Sequence, residues 1–161
     1  MKNALIAMVS NASDATILVH PAPHHGDETM AVAILALVEG SAEVYRTRKQ
    51  EEIDAAVMNG AVICDVGGVY DPEKGRFDHH QREFSEVRED GTKYSSAGLL
   101  WKKYGVDACI AATGCTLAQA EEAAVKVDEM LIKGIDAIDN GQALANADGV
   151  MSVSQVILVF N

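Results

Sequence analysis

The sequence predicts an α/β fold, a doubly wound and mainly parallel sheet with helices on both faces. Two observations lead to this class. Short, continuously apolar segments, which are typical of buried parallel strands, alternate along the chain with longer segments of helical composition. Acidic residues and histidines follow several of the apolar segments, at the strand ends where ligand sites form in such sheets. A length of 161 residues suits one domain, so we expect residues 1–161 to form a single domain.

The first half of the chain alternates strands and helices. Residues 16–19 form a short apolar strand that stops at His20, because Pro21 and Pro23 prevent a helix from starting directly after it. The next four elements are expected to be a nearly all-apolar helix, a strand, a short helix and a central parallel strand, over 28–38, 43–47, 51–58 and 61–64. An acid, Asp65, lies at the tip of the central strand.

A hairpin is expected to follow the central strand. Proline and glycine in residues 72–75 occupy turn positions between two short strand-like segments. The second segment leads into three consecutive chemistry-bearing residues, Asp78, His79 and His80. Residues 86–93 are charged and contain glycine, so we expect a mobile loop there.

Cap residues delimit the elements of the second half. Ser95 or Ser96 would cap a helix that runs through Tyr104. A capping box at residues 116–119 opens a long helix that continues to about residue 139. The apolar run over residues 153–160 is expected to be a terminal strand.

The composition excludes several kinds of partner. Lys and Arg total 13 against 24 Asp and Glu, so the formal charge is -11 and tight nonspecific binding to duplex DNA is disfavoured. No apolar run approaches the roughly 20 residues that span a membrane, so we expect no membrane partner and a cytoplasmic location. The three cysteines show no CxxC spacing and are expected to be buried thiols, at positions 64, 109 and 115.

Histidines and acids are concentrated in five places, most of them at predicted strand ends. All five histidines lie within two short segments. Imidazole mixed with carboxylate suits Mn, Zn, Co or Fe, and a bridging carboxylate can hold two such ions about 3.5–4 Å apart. The expected chemistry is hydrolysis at phosphorus. The five places are His20, the segment 24–28, Asp65, the segment 78–80, and Asp136 with Asp139.

Taken singly, some of these residues have a purely structural explanation. A lone acid at a strand end is most often solvated or caps a helix, so Asp65 alone is weak evidence for a metal. The adjacent pair His79 and His80 is stronger evidence, because burying two unpaired imidazoles costs solvation free energy and exposing both serves no structural purpose. The joint occurrence of all five places favours a metal centre.

Long motifs in the middle of the chain resemble a known family. Residues 62–72, VICDVGGVYDP, and residues 76–82, RFDHHQR, resemble the melanocyte proliferating gene 1 family, a branch of the DHH phosphoesterase superfamily. The resemblance covers roughly residues 16–160 and continues through 45–48, 95–98 and 135–141. The spacing of the family's opening motif is fitted by His20, His25, Asp27 and Glu28. His24 stands where the family usually has Phe.

The resemblance implies a centre of two divalent metal ions. Its motifs place the first ion on His20, His25 and Asp65. They place the second ion on Asp27, Asp65, His79 and Asp139, so that Asp65 bridges the two. Mn²⁺ is the expected ion, and Mg²⁺, Co²⁺ or Zn²⁺ are the alternatives.

The resemblance also implies three catalytic roles. Asp65, as the bridge, would hold both ions around a water that attacks a phosphodiester in line. His80 is not needed as a ligand and would contact the scissile phosphate. Asp78 is expected to fix the imidazole of a neighbouring histidine.

Two acids compete for the last ligand position on the long helix. At about 100° per residue, Asp139 lies nearer to the predicted buried stripe of that helix than Asp136 does. We therefore choose Asp139 as the ligand and expect Asp136 to face outward.

Substrate phosphate is expected to contact Arg46, Arg82, Ser95 and Ser96. An arginine fork suits paired phosphate oxygens, and groups at a helix start can donate to phosphate. Solvated surface charge is an equal explanation for the two arginines, and capping is the favoured alternative for the two serines.

The function implied is that of a metal-dependent phosphoesterase, with 3'-to-5' exonuclease or nano-RNase activity on short single-stranded RNA or small nucleotides. Hydrolysis of a small phosphoanhydride such as pyrophosphate, and a noncatalytic metal-binding role, are the alternatives. Family members usually carry a second, substrate-gripping domain, so we expect this chain to be the DHH-like metal-binding catalytic domain without it. An unpaired terminal strand over residues 153–160 would favour a homodimer.

Overall fold

The computed structural model describes residues 4–142, 152–159 and 161. Within these residues six strands form one sheet: β1 Leu5–Met8, β2 Ile17–Val19, β3 Ser41–Arg46, β4 Val62–Cys64, β5 Tyr70–Asp71 and β6 Arg76–Phe77. Across the sheet they follow the order β1-β3-β2-β4-β6-β5. Neighbouring strands are parallel except β5 and β6, which are antiparallel and form the predicted hairpin.

Helices cover both faces of the sheet. The described part of the chain contains α1 Gly26–Glu39, α2 Gln50–Met58, α3 Ser96–Thr113, α4 Leu117–Val127, α5 Lys133–Asp139 and α6 Val153–Leu158. In β2, Ile17 and Val19 join a core with α1 and α3, whereas Leu18 joins a second core with α2. Because β2 is buried on both faces, its sequence is continuously apolar rather than alternating. The predicted α/β class and doubly wound arrangement are confirmed.

The connections around β2 create a switch point. Helix α1 carries the chain from β2 to β3 on one side, and α2 returns it to β4 on the other side of β2. The chain therefore leaves the neighbouring strands β2 and β4 in opposite directions. Their carboxyl ends border a crevice, which is where ligands bind in open α/β sheets.

Two helices differ from their predicted limits. Helix α3 continues past Tyr104 to Thr113 and ends at Gly114, which has a φ of 70°. The long helix predicted from residue 116 to residue 139 is interrupted, because a π-helical segment, Asp128–Ile132, separates α4 from α5. A π-helical turn holds more residues than an α-helical turn, so it rotates every later residue relative to an uninterrupted helix.

The predicted terminal strand is wrong. Residues Val153–Leu158 form a helix, and residue 160 lies outside the described residues. Ser152 and Gln155 form a capping box, in which each side chain accepts a hydrogen bond from the backbone N–H of the other. This local pairing favours a helix over a strand. Strand pairing through residues 153–160 therefore cannot build the expected homodimer.

The remaining expectations concern an edge strand, a loop and the cysteines. The prediction omits β1, whose four residues are all exposed at the edge of the sheet. The loop over residues 86–93 is closed by an isolated bridge between Val87 and Lys93. Cys64 and Cys109 are buried as predicted, and Cys115 is half-buried. Among the described helices, none has the length and apolarity that crossing a membrane would need.

Candidate metal centre

Two residues at the ends of β2 and β4 meet at the switch point. His20 and Asp65 are both buried, and His20 Nε2 lies 3.2 Å from Asp65 Oδ2. Asp65 has a φ of 56° and is the only non-glycine residue with a positive φ in the described part of the chain. Backbone in this left-handed region is strained, and such strain is concentrated at functional sites. The backbone thus identifies Asp65 as the first candidate.

The start of α1 brings two carboxylates and one imidazole to the same place. Asp27 and Glu28 lie in the first turn of α1 and are fully buried. His25 precedes α1, and its ring centroid is 5.0 Å from that of His20. Glu28 Oε2 accepts a 2.7 Å hydrogen bond from the backbone N–H of His25 and lies 3.8 Å from His20 Nε2. The positive end of the helix dipole stabilises this buried negative charge.

His79 links the hairpin to α1, β4 and α5. Its Nε2 lies 3.1 Å from Asp139 Oδ2, 3.7 Å from Asp65 Oδ1 and 3.8 Å from Asp27 Oδ2. The imidazole is almost completely buried, whereas Asp139 is partly exposed at the end of α5. Four elements that are distant in sequence therefore converge on one nitrogen atom.

These side chains form three overlapping groups whose ligand atoms lie within 4.8 Å of one another. Asp65 belongs to the first two groups and His79 to the last two, so the groups make one continuous cluster, here called the donor cluster. All six residues predicted to bind metal lie in it, together with Glu28 and His80. The groups are His20, His25, Glu28 and Asp65; Asp65, His79 and His80; and Asp27, His79 and Asp139.

Atoms of the donor cluster lack partners within the protein. His20 Nε2, His79 Nε2 and Asp65 Oδ1 are buried, and no described group forms a hydrogen bond with them. An unsatisfied buried polar atom costs free energy, so three such atoms in one cluster fit a bound cation. Imidazole nitrogen with carboxylate oxygen is the donor set of Mn, Fe, Co and Zn. The residues present could therefore hold metal ions.

The charges of the donor cluster depend on one another. Burial raises the pKa of Asp27 well above its usual range, and the negative charges of Asp65 and Asp139 raise it further. Burial alone would raise the pKa of Asp65, but His20 and His79 outweigh it and lower that pKa. Burial would lower the pKa of His79, but Asp139 and Asp65 outweigh it and raise that pKa to about 10. A positive charge on His79 thus holds the carboxylates together in the metal-free protein.

Asp78 and His80 form a pair at the exposed side of the cluster. His80 Nδ1 lies 2.7 Å from Asp78 Oδ1, and the backbone N–H of Gly68 donates to Asp78 Oδ2 at 2.6 Å. Burial would raise the pKa of Asp78, but the contact with His80 and the Gly68 N–H lower it. The hydrogen bond that His80 donates to Asp78 raises the pKa of His80, whose side chain is 60% exposed. Asp78 therefore orients an imidazole that solvent can reach.

The start of α3 is occupied by carboxylates. The backbone N–H groups of Ser96 and Ala97 donate to Asp27, at 3.0 and 2.6 Å. Ser95 is buried, and its hydroxyl lies within hydrogen-bond distance of both Asp27 and Asp136, at 2.5 and 2.6 Å. The two carboxylates thus accept hydrogen bonds from the first N–H groups of α3, which have no acceptor within the helix. The groups predicted to face substrate phosphate thus hold Asp27 in place.

The expectation that Asp136 faces outward is wrong. Asp136 is fully buried, and its Oδ1 accepts hydrogen bonds of 3.1 Å from the backbone N–H groups of Ser95 and Gly98. The extrapolation along an uninterrupted helix fails because the π-helical segment lies between α4 and α5. Asp139 also reaches the donor cluster, so both acids of α5 face inward.

Arg88 completes the surroundings of Asp136, and the sequence-based prediction omits it. Arg88 Nη2 donates to Asp136 Oδ2 at 2.5 Å, and Nη1 contacts Asp128 of the π-helical segment. The guanidinium also lies 4.4 Å from the centre of the Tyr94 ring. The loop over residues 86–93 therefore supplies a cation whose side chain is only 10% exposed. Its charged composition suggested only solvent exposure, and no local signal distinguishes Arg88 from its neighbours.

The remaining predicted substrate contacts are distributed unevenly. Arg46 Nη1 donates to the backbone oxygen of His20 at 2.9 Å and to Glu28 Oε1 at 3.3 Å, at the edge of the donor cluster. Ser96 is buried, and its Oγ has no hydrogen-bond partner among the described groups. Arg82 is exposed on the segment after His80, and among the described residues it forms no hydrogen bond with the cluster. The structure thus brings Arg46 to the cluster and leaves Arg82 in solvent.

Glu28 belongs to the donor cluster but to neither of the two predicted ligand sets. Glu28 is part of the family's opening motif, but a glutamate in the first turn of a helix can also be explained by capping alone. Only the structure shows that the carboxylate lies close to His20, His24 Nδ1 and Arg46 at once, at 3.3 to 3.8 Å.

Comparison with known proteins establishes the family. The protein-family model MYG1_exonuc, described as an uncharacterised protein family (UPF0160), matches residues 16–157 of the sequence. The chain belongs to the MYG1 family. The described residues of the donor cluster all lie within the matched range, whereas β1 lies before it. No solved structure matches the chain.

Curated relatives are longer than this chain. It is 36% identical to the "MYG1 protein" of Dictyostelium discoideum over 133 residues. The aligned region covers 80% of this chain and 39% of that protein. It is 34% identical over 133 residues to the "MYG1 exonuclease" of Homo sapiens, covering 76% of this chain and 34% of that protein. The "MYG1 exonuclease" of Bos taurus is 35% identical, with 76% and 34% coverage. The chain thus spans between a third and two fifths of the length of these relatives.

Proposed function

We propose that this domain is a metal-dependent phosphodiesterase with two divalent ions, which removes nucleotides from the 3' end of short single-stranded RNA or cleaves small nucleotides. The observation that carries the proposal is that Asp65, whose two carboxylate oxygens can each face an ion, belongs to two donor groups, which His79 joins to the third. Shared donors suit two ions in one site. The exonuclease names of the mammalian relatives support the same class of reaction.

Two sets of side chains would hold the ions. The first set is His20, His25 and Asp65, with Glu28 as an additional donor nearby. The second set is Asp27, Asp65, His79 and Asp139, and Mn²⁺ is the ion that we expect in both. When bound, such ions acidify water and stabilise negative charge on the attacking and leaving oxygens. Placement within the DHH phosphoesterase superfamily is part of the same proposal.

His80 would bind the phosphate that reacts. Its imidazole is exposed beside the buried donors, and its Nδ1 lies 3.4 Å from Asp65 Oδ1. Because Asp78 raises its pKa, a larger fraction of His80 carries a positive charge at neutral pH than for a free histidine. The charge would stabilise a phosphate oxygen, while Asp78 keeps the ring in place.

The groups around α3 and β3 would position donors and substrate. Ser95 and the N–H groups of Ser96 and Ala97 orient Asp27 toward the site, because they satisfy both of its carboxylate oxygens. Arg46 would orient Glu28 and His20 and reach a substrate phosphate with its remaining N–H groups. Arg82 is exposed and free to contact a longer strand.

An assay with three substrates tests the proposal. The chain, cleared of metal by a chelator and then supplied with Mn²⁺, should hydrolyse bis-nitrophenyl phosphate and shorten a short RNA from its 3' end. Faster hydrolysis of pyrophosphate than of either ester would favour the phosphoanhydride alternative. Binding of two ions without turnover of any substrate would favour the noncatalytic role. Metal analysis that finds no bound ion in the folded chain would refute the metal centre itself.

A further inference from the structure

Helix α6 lies against the start of α1, next to the donor cluster. Ser154 of α6 is buried, and a Cβ added to Gly26 would lie 2.3 Å from its Oγ. The close approach of the two helices therefore requires glycine at position 26. Leu158 lines a cavity of about 250 Å³ together with His25 and Asp139. Helix α6 is thus one wall of the site, although it contributes no residue to the donor groups.

Asn161, just beyond α6, holds the backbone of His24 with both ends of its amide. The backbone N–H of His24 donates to Asn161 Oδ1 at 2.5 Å, and Asn161 Nδ2 donates to the backbone oxygen of His24 at 2.7 Å. The two residues are 137 positions apart in sequence. A reciprocal pair of this kind resembles the pairing of two strands, and it fixes the position and the orientation of the peptide.

The residue after this fixed backbone is His25. The segment that connects β2 to α1 has no strand or helix of its own, so its position depends on individual contacts. From the α1 side, Glu28 Oε2 accepts the backbone N–H of His25. From the α6 side, the only described side-chain hydrogen bonds to the backbone of His24 are those of Asn161. His25 is therefore held between Glu28 and Asn161.

We propose that Asn161 is a positioning residue of the metal centre, which sets the place of the His25 imidazole through the backbone of His24. The inference rests on the proposed function in that it requires metal at the donor cluster. It adds a residue outside the donor groups, from the other end of the chain. Its effect falls on the ion that His25 binds and not on the ion held by Asp27, His79 and Asp139.

Co²⁺ binding tests this role without an activity assay. Titration of the metal-free chain with Co²⁺, followed by calorimetry and visible absorption, reports affinity and coordination separately. For Asn161→Ala we expect the ion that His25 binds to bind about 10-fold more weakly, at the lower end of the effect of losing a group that supports a ligand from outside the donor set. Its absorption bands should change, while the other ion binds as before. Val156→Ala alters an exposed residue of α6 and should leave both ions unchanged.

A second variant separates positioning from folding. Asn161→Asp has the same shape and keeps the acceptor for the His24 N–H, but it loses the donor to the His24 backbone oxygen. The affinity of this variant for Co²⁺ at the ion that His25 binds should therefore lie between those of wild type and Asn161→Ala. Wild-type affinity and spectrum in Asn161→Ala would overturn the role. So would equal weakening of both ions together with a lower melting temperature, since that indicates general destabilisation. If wild type itself binds no Co²⁺, the proposed function fails, and this inference fails with it.

Discussion

Two buried carboxylates, Asp65 and Asp136, differ in the hydrogen-bond partners of their oxygen atoms. Asp136 receives donors from Ser95, Gly98 and Arg88, so the protein itself compensates its charge. Asp65 has an oxygen atom, Oδ1, with no hydrogen-bond partner among the described residues, and it has a strained backbone. A buried acid whose oxygen atoms all accept hydrogen bonds stabilises the structure, whereas a buried oxygen atom without a donor can take a cation as its ligand. Burial alone therefore does not identify a functional acid, and the partners of each oxygen do.

Loss of Asp65 should have the largest effect on activity. Asp65→Ala removes a donor that two groups share, so both ions lose a ligand. We expect hydrolysis to fall by orders of magnitude and metal analysis to give fewer than two ions per chain, with the fold intact by circular dichroism. Two tightly bound ions in the Asp65→Ala variant would show that Asp65, like Asp136, is not a metal ligand.

Loss of Asp136 should instead act on stability. Asp136→Ala leaves Arg88 with Asp128 as its remaining carboxylate partner, and it leaves the backbone N–H groups of Ser95 and Gly98 without their acceptor. We expect a loss of about 3–5 kcal/mol in the free energy of unfolding, measured by urea denaturation. The variant should still bind two ions under conditions where it is folded. Asp139→Ala is the matched control, since it should weaken metal binding more than stability. A reversal of the two outcomes would show that Asp136 is the ligand.

The contact between α3 and Asp136 can be tested without changing a charge. A Cβ on Gly98 would lie 2.1 Å from Asp136 Oδ2, so Gly98→Ala must displace the carboxylate or the helix. We expect a loss of about 1–3 kcal/mol, as for other overpacked positions. Gly134→Ala in α5 is the control, because nothing lies within 4 Å of the added Cβ. It should be neutral or stabilise the chain by up to about 1 kcal/mol. Equal effects at the two glycines would rule out the close approach.

Proton release should accompany metal binding at the donor cluster. The pKa of His79 is raised to about 10, so the imidazole carries a proton at pH 8 when metal is absent. A ligand imidazole must be neutral, so binding displaces that proton and affinity rises with pH up to about 10. Calorimetry at pH 8, in buffers of different ionisation enthalpy, should detect the release of at least one proton, to which His79 contributes. No proton release would indicate that His79 does not bind metal.

The raised pKa of His79 also predicts how pH affects the stability of the metal-free protein. A pKa raised above the unfolded value stabilises the fold fully below about pH 6.5, and the contribution disappears as pH rises through about 10. The metal-free chain should therefore lose stability between these values. Bound metal should remove this dependence, because it replaces the proton. Urea denaturation at several pH values, with and without Mn²⁺, measures both curves.

The sequence by itself predicted the order of the central elements and the place of the site. Period and composition identify β2, β3, β4, α1 and α2, because an apolar segment buried on both faces of a sheet differs locally from a helix. The rule that sites lie beyond the carboxyl ends of parallel strands placed His20 and Asp65 together. Local signals were sufficient wherever the deciding interactions lie within a few residues.

The tertiary structure decided what depends on residues distant in sequence. A π-helical segment turned Asp136 inward, and Arg88 came from a loop whose composition indicated only solvent. The contact of α6 with α1 joins segments that are distant in sequence, although the capping box that starts α6 is local. Asn161 reached His24 from the other end of the chain. Propensity and spacing depend on residues that are neighbours along the chain. The partner of a buried charge depends instead on tertiary packing, which forms only when the whole protein is folded.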